Sequence, residues 1–188
     1  MHPVVVGITG ASGAILGVRL LEALKSVNVE THLVMSRWAE RTLVEETGYT
    51  PEQVKALAAV CHDADDMAAV VSSGSFLTSG MVICPCSMKS LAAVACGFSY
   101  NLVARAADVT LKEGRKLVLV PRETPFSPIH LENMLKLSRL GVTILPPCVG
   151  FYTRPETVED VVRHTVGKIL DTLGLEQKLF DRWEGPRV

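Results

Sequence analysis

Three short segments carry the residue types from which a ligand site is built. Gly10-Ala11-Ser12-Gly13 follows the apolar run Val4-Val5-Val6-Gly7-Ile8 and precedes a helical pattern. Glycines let the backbone approach a ligand, and the N-terminus of a following helix offers unpaired N–H groups to an anion. Gly7, Gly10 and Gly13 are spaced by three, not as the G-x-G-x-x-G of dinucleotide binders. Ser36 ends the second strand, where an acidic residue would hold the ribose of NAD. The pattern suits a mononucleotide or a phosphate better than NAD, although a tight strand-to-helix turn needs glycine with or without a ligand.

Cys86-Ser87-Met88-Lys89-Ser90 lies at another strand-to-helix junction. Ser87 can cap the helix and Ser90 can add a hydroxyl to the same anion pocket; the plain alternative is an ordinary serine N-cap. In Val120-Pro121-Arg122-Glu123-Thr124-Pro125-Phe126, prolines on both sides stiffen a loop that carries an Arg–Glu pair. As a surface salt bridge that pair would contribute about 0–1 kcal/mol. As part of a site, the planar fork of Arg122 could hold a phosphate. Cys84 and Cys86 bracket Pro85, but they lack the second Cys or His pair that a zinc centre needs, so they read as buried packing residues and no metal is expected.

These segments need a frame that brings them together. Short apolar runs at 4–8, 31–35, 81–84, 116–120 and 142–145 read as strands, the fourth of them closed by Pro121 and the third by Pro85. Between them lie helical patterns: Leu16, Leu20, Leu21 and Leu24 on one face, a polar helix to about Thr47, a short helix begun by Pro51, then helices from Ser87 to Gly97 and from Asn101 to Glu113. A helix over 129–140 turns Met134 and Leu135 inward. The last helix is capped by Thr157, with Val158, Val162, Thr165, Val166, Ile169 and Leu173 as its apolar stripe. Residues 61–80 show no clear pattern beyond a loop at Ser72-Ser73-Gly74-Ser75. Strands alternating with helices imply an α/β fold: one flavodoxin-like or Rossmann-like three-layer α/β/α domain over residues 1–188, with a mainly parallel sheet. Such sheets bind ligands at the carboxyl ends of their strands, which is where all three segments fall.

Composition narrows the function. The formal net charge is −1 and no basic stripe stands out, so nucleic-acid binding is not expected. No apolar run approaches the roughly 18 residues that span a bilayer, and no cleavable leader opens the chain, so a cytoplasmic protein is expected. Five scattered cysteines argue against a disulfide framework. With 48% hydrophobic residues and 21% charged, the chain is oily for a monomer, which implies a large buried sheet together with subunit contacts.

Over nearly its full length the chain resembles the flavin prenyltransferase (UbiX-like) family. The resemblance is carried by T-G-A-S-G-A at 9–14, S-S-G-S-F at 72–76, I-C-P-C-S-M-K-S-L-A at 83–92, R-A-A-D-V-T-L-K-E at 105–113, L-V-L-V-P-R-E-T-P-F-S-P-I-H-L-E-N-M-L at 117–135 and P-P-C-V-G-F-Y at 146–152. It implies transfer of the dimethylallyl group of dimethylallyl monophosphate to N5 and C6 of reduced FMN without a metal. The product, prenylated FMN, serves a UbiD-type decarboxylase, and the wording of S-S-G-S-F and P-C-S-M-K-S-L is similar to members that accompany hydroxybenzoate decarboxylases. By the same resemblance, Gly10, Ala11, Ser12, Ser36, Ser87, Met88, Lys89, Ser90 and Arg122 hold FMN. Tyr152 and Lys168 hold the prenyl phosphate with Lys112 and Arg122, and Trp183 walls the prenyl chain. Ser12, Glu46 and Glu123 move protons. A dodecamer with sites at subunit contacts is implied, with segment 175–188 at those contacts. Met67 departs from relatives that carry a tryptophan over the prenyl site.

Without the resemblance, Lys168 reads as a solvated lysine, Glu46 as a surface acid beside Glu45, and Tyr152 and Trp183 as core or interface aromatics. Two other functions fit the same fold. A non-catalytic FMN-binding subunit of a decarboxylase would share most of these residues but has no need of a second phosphate site. A flavin-dependent cysteine decarboxylase would carry a histidine early in the second helix and a P-x-M-N-x-x-M-W loop. Here those positions read Ser36-Arg37-Trp38-Ala39-Glu40 and P-R-E-T-P-F.

Overall fold

Apolar runs of about five residues cannot bury themselves as helices, but as parallel strands they can be covered on both faces by amphipathic helices. The computed structural model describes residues 2–183 and 185 and shows that arrangement. The strands are β1 (Val4–Ile8), β2 (Thr31–Met35), β3 (Val60–Asp63), β4 (Gly80–Cys86), β5 (Leu117–Pro121) and β6 (Thr143–Ile144). The helices are α1 (Ala14–Ser26), α2 (Arg37–Glu46), α3 (Pro51–Lys55), α4 (Met88–Cys96), α5 (Leu102–Lys112), α6 (Pro128–Arg139) and α7 (Val158–Leu173). All strand pairs are parallel, in the order β3-β2-β1-β4-β5-β6. The order reverses between β1 and β4, and a crevice opens there at the carboxyl ends of a doubly wound sheet.

Alternation along the strands feeds two cores. Val4, Val6 and Ile8 of β1 join Leu16, Leu20 and Leu24 of α1 and Val166 and Ile169 of α7 on one face. Val5, Met81, Ile83, Leu117 and Leu119 meet Leu91, Val103 and Ala107 of α4 and α5 on the other. Each fully buried leucine contributes about 1.5–3 kcal/mol. α1 lies so close to the sheet that a Cβ on Gly17 would stand 2.7 Å from the Cys84 carbonyl oxygen; that approach requires glycine.

Three expectations are corrected. β3 was not visible as a strand because Val60-Cys61-His62-Asp63 is a half-polar edge strand with one neighbour, β2. β4 does not stop at Pro85 but continues to Cys86 through a register shift between Ile83 and Cys86. The extra residue sends Cys84 into one core and Cys86 into the other. Burial pushes the Cys86 thiol up to about 12 and raises that of Cys84 as well, so both stay protonated packing residues. Finally, Leu135 and Val158, assigned inward by periodicity, are exposed. No helix among the described residues is long and apolar enough to cross a membrane.

Candidate functional site

Three helix N-termini converge at the reversal point, each positioned by the strand before it. Ser36 leaves β2, donates its N–H to the Ile8 carbonyl, and caps α2 by accepting from the Ala39 N–H at 3.2 Å. Ser87 leaves β4 and caps α4 by accepting from the Ser90 N–H at 3.2 Å. Gly13 begins α1. Thr9 ties two of the strand ends together: its hydroxyl donates to the Pro85 carbonyl at 2.9 Å and accepts from the Ser87 N–H at 2.8 Å. The caps of α2 and α4 line one crevice, and helix N-termini there make it favourable to anions.

The crevice has a volume of about 980 Å³ and is lined by Gly10, Ser36, Ser87, Lys89 and Ser90 of the expected residues. A Cβ on Gly10 would stand 2.5 Å from Trp38 Cβ, so only glycine keeps this wall thin. The Ser87 hydroxyl donates to Ser90 Oγ at 3.1 Å, and Ser90 Oγ lies 3.2 Å from Tyr100 Oη. The Lys89 ammonium sits 4.5 Å over the Tyr100 ring. Ala11 is buried and Met88 half-buried, and neither lines the crevice. The sequence reading missed Thr9, Trp38, Tyr100 and the β3 residues His62 and Asp63, which also line the crevice. Thr9 carried a signal, since it adjoins a segment already singled out; Tyr100 adjoins only a helix start, and His62 and Asp63 required β3 itself.

A second group forms around the start of α1. Glu46, at the end of α2, accepts from the N–H groups of Gly13 (2.7 Å) and Ala14 (3.1 Å). The helix N-terminus expected to face a ligand is thus already capped by a carboxylate from the same chain. Burial pushes the Glu46 carboxyl up, but hydrogen bonds from Ser12 and from those two amides, with the charge of Arg122, hold it below the usual value. Arg122 Nε donates to the Ser12 carbonyl at 3.2 Å. The expected Arg122–Glu123 ion pair is not among the contacts of the described residues; Glu123 instead accepts from the Thr124 N–H at 3.0 Å.

The remaining expected residues lie elsewhere on the chain. Tyr152, in a 3-10 turn (Phe151–Thr153), packs edge-on against His164 of α7 and against Trp183. Lys168 is exposed one turn beyond His164. The tail folds back on α7: Phe180 covers Gly167, where a Cβ would stand 2.5 Å from the Phe180 ring, and Arg182 pairs with Asp171 at 2.7 Å. Of the segment 175–188, residues 184 and 186–188 lie outside the described residues. Lys112 ends α5, which begins beside the crevice at Asn101 and runs about 1.5 Å per residue back across the sheet. It bonds Glu113 beside Gly74. Tyr152, Lys168, Trp183 and Lys112 are therefore not brought to the crevice within one copy of the chain.

The fold and the crevice define a flavoprotein-type α/β protein: residues 1–170 match the family model described as Flavoprotein. The flavin prenyltransferase LpdB of Lactiplantibacillus plantarum is 54% identical over 186 residues, which cover 98% of this chain and 100% of that protein. The crystal structure of AnUbiX (PadA1) in complex with FMN and dimethylallyl pyrophosphate matches with TM-score 0.97 and 53% identity, over 99% of each chain. A dodecameric FMN-dependent UbiX-like decarboxylase from Escherichia coli O157:H7 matches with TM-score 0.96 and 58% identity, over 97% of this chain and 100% of that one. The chain belongs to the UbiX-like flavin prenyltransferase family. The cysteine decarboxylase SpaF, at 20% identity and TM-score 0.64, shares the fold alone.

Proposed function

We propose that this chain joins the dimethylallyl group of dimethylallyl monophosphate to N5 and C6 of reduced FMN, and that the prenylated FMN serves a UbiD-type decarboxylase. The observation that carries the reading is the crevice lined by the helix caps Ser36, Ser87 and Asn101, in a fold shared over 99% of each chain with a relative solved with FMN and a dimethylallyl donor. Its volume lies at the upper end of the range for small-molecule sites, about 300–1,000 Å³, and accommodates a mononucleotide together with a small donor. The thin wall at Gly10 and the hydroxyls of Ser36, Ser87 and Ser90 suit a planar ring and its phosphate arm; Ala11, Ser12, Met88, Lys89 and Arg122 complete that set.

When bound, reduced flavin supplies the nucleophilic nitrogen and carbon. The allylic C–O bond breaks with its electron pair leaving on the phosphate. Lys168, Lys112 and Arg122 offset the charge that develops there, and the ring faces of Tyr152 and Trp183 steady the allylic cation. In this reading the charged clamp does the work a divalent ion does for diphosphate donors. Ser12, whose hydroxyl is held by Glu46, relays the proton released at N5, and Glu123 takes the one released at C6 as the second bond forms, while the inner carbon of the allylic double bond gains one.

Because Tyr152, Lys168, Trp183 and Lys112 lie away from the crevice of their own chain, the clamp closes between copies. Exposed Trp38, Phe98, Phe151 and Ile129 support such an assembly, a dodecamer like that of the Escherichia coli relative, with the tail at the contacts. The test is anaerobic incubation with reduced FMN and dimethylallyl monophosphate, followed by mass spectrometry of the flavin. A flavin heavier by one five-carbon unit is expected, with the monophosphate outpacing the diphosphate and no added divalent ion required. An unchanged flavin would leave the chain a binding subunit.

A further inference from the structure

His164 is held on several sides by groups that leave one of its nitrogens facing a phenol. Nε2 lies 3.0 Å from Tyr152 Oη, and the two rings meet at 81°. Phe180 covers the imidazole at 4.7 Å between centroids, and Trp183 lies 6.1 Å from the Tyr152 ring. Lys168 follows one helical turn later on the same face of α7. We propose that His164 is a positioning residue for the prenyl-phosphate site: it orients the Tyr152 hydroxyl toward the phosphate, and its protonation couples donor binding to pH. This rests on the reading that Tyr152 and Lys168 bind that phosphate.

The chemistry follows from the single hydrogen of a phenol. If Nε2 accepts, the Tyr152 proton is spent on the imidazole and the hydroxyl can only present lone pairs to an anion. If Nε2–H donates, the Tyr152 hydrogen is released to the phosphate. A neutral ring has that Nε2–H in one tautomer only, whereas an imidazolium always has it. Of the charged groups around the ring, Lys168 is the one whose charge bears on it. Lys168 faces it from α7; Asp160, a turn earlier, is engaged by the Thr157 cap; Asp171 is paired with Arg182 of the tail; Tyr152 faces it from the 3-10 turn. Burial, and then the charge of Lys168, hold His164 below the ordinary histidine value. A phosphate dianion bound to Lys168 and Tyr152 offsets that charge and raises the histidine, so donor binding takes up a proton. The gain in affinity is present below the raised value and is lost as pH rises through it.

The experiment measures the Kd of dimethylallyl monophosphate for FMN-loaded protein by calorimetry between about pH 5.5 and 8, bracketing the ordinary histidine value. The proteins are wild type, His164→Gln, His164→Leu, Tyr152→Phe and Lys168→Ala. Wild type is expected to lose affinity by up to about tenfold per pH unit in part of that window. Glutamine keeps a hydrogen-bonding group without titrating, so His164→Gln matches wild type within about threefold at the alkaline end and lacks that extra slope. His164→Leu binds about five- to tenfold more weakly at the alkaline end. The second ionisation of the phosphate itself, near about 6, is common to all and cancels in the comparison. Equal slopes in wild type and His164→Gln would overturn the inference while leaving the phosphate reading intact. Unchanged affinity in both Tyr152→Phe and Lys168→Ala would overturn the phosphate reading beneath it.

Discussion

Glu46 reaches from the last turn of α2 to the first N–H groups of α1, and so joins two elements at the place where their strands end. A carboxylate at a helix N-terminus stabilises through its hydrogen bonds and through the helix dipole. Because the group is exposed and screened by solvent, about 1 kcal/mol is the expected contribution. Glu46→Gln should therefore lower stability by about 1 kcal/mol at neutral pH, measured as a shift in the urea midpoint. The folded carboxyl is held below its ordinary value, so this contribution is present above the unfolded value and lost as pH falls through the lowered one. A difference between the two proteins that persisted unchanged into acid would show that the charge is not responsible. The sequence named Glu46 through the family resemblance but offered no partner for it, since Gly13 and Glu46 are 33 positions apart and meet only when α2 lies beside α1.

Among the elements, the junctions that follow β1, β2 and β4 were legible because each carries local punctuation: glycine at 10 and 13, serine at 36, serine at 87. Their convergence followed from the parallel sheet. β3 was not legible, because an edge strand with His62 and Asp63 shows neither an apolar run nor clean alternation. His62 and Asp63 on the crevice wall were missed with it. The bulge in β4 was hidden for a related reason: Pro85 reads as a stop, and only pairing with β5 shows the strand resuming at Cys86. The wall at Gly10 supports a prediction of its own. In Gly10→Ala the new methyl meets Trp38 at 2.5 Å, forcing α2 outward or the turn inward, at a cost of about 1–3 kcal/mol. FMN affinity, followed by quenching of flavin fluorescence, should fall by at least about tenfold, which corresponds to the lower half of that cost. Undiminished affinity would mean that the thin wall is not part of the flavin site.

The molecule as a whole presents two faces of one problem. The crevice is built within a single chain, while Tyr152, Lys168 and Trp183 form a separate cluster along α7 and the tail. Fold class, the parallel sheet and the strand-to-helix junctions could be read from residues because they depend on short-range patterns. The closing of the proposed clamp could not, because on that reading it depends on how copies meet, and no periodicity within one chain encodes that. The exposed Leu135 and Val158, which helical spacing had turned inward, belong to the same lesson: an apolar stripe specifies that a face is covered, not which molecule covers it. The most direct measurement is a crystal of FMN-loaded protein soaked with dimethylallyl monophosphate. The account predicts a second phosphate in the flavin crevice, held by Tyr152 and Lys168 with at least one contact from a neighbouring copy. A donor bound away from the flavin, or a crevice that admits only FMN at saturating donor, would contradict it.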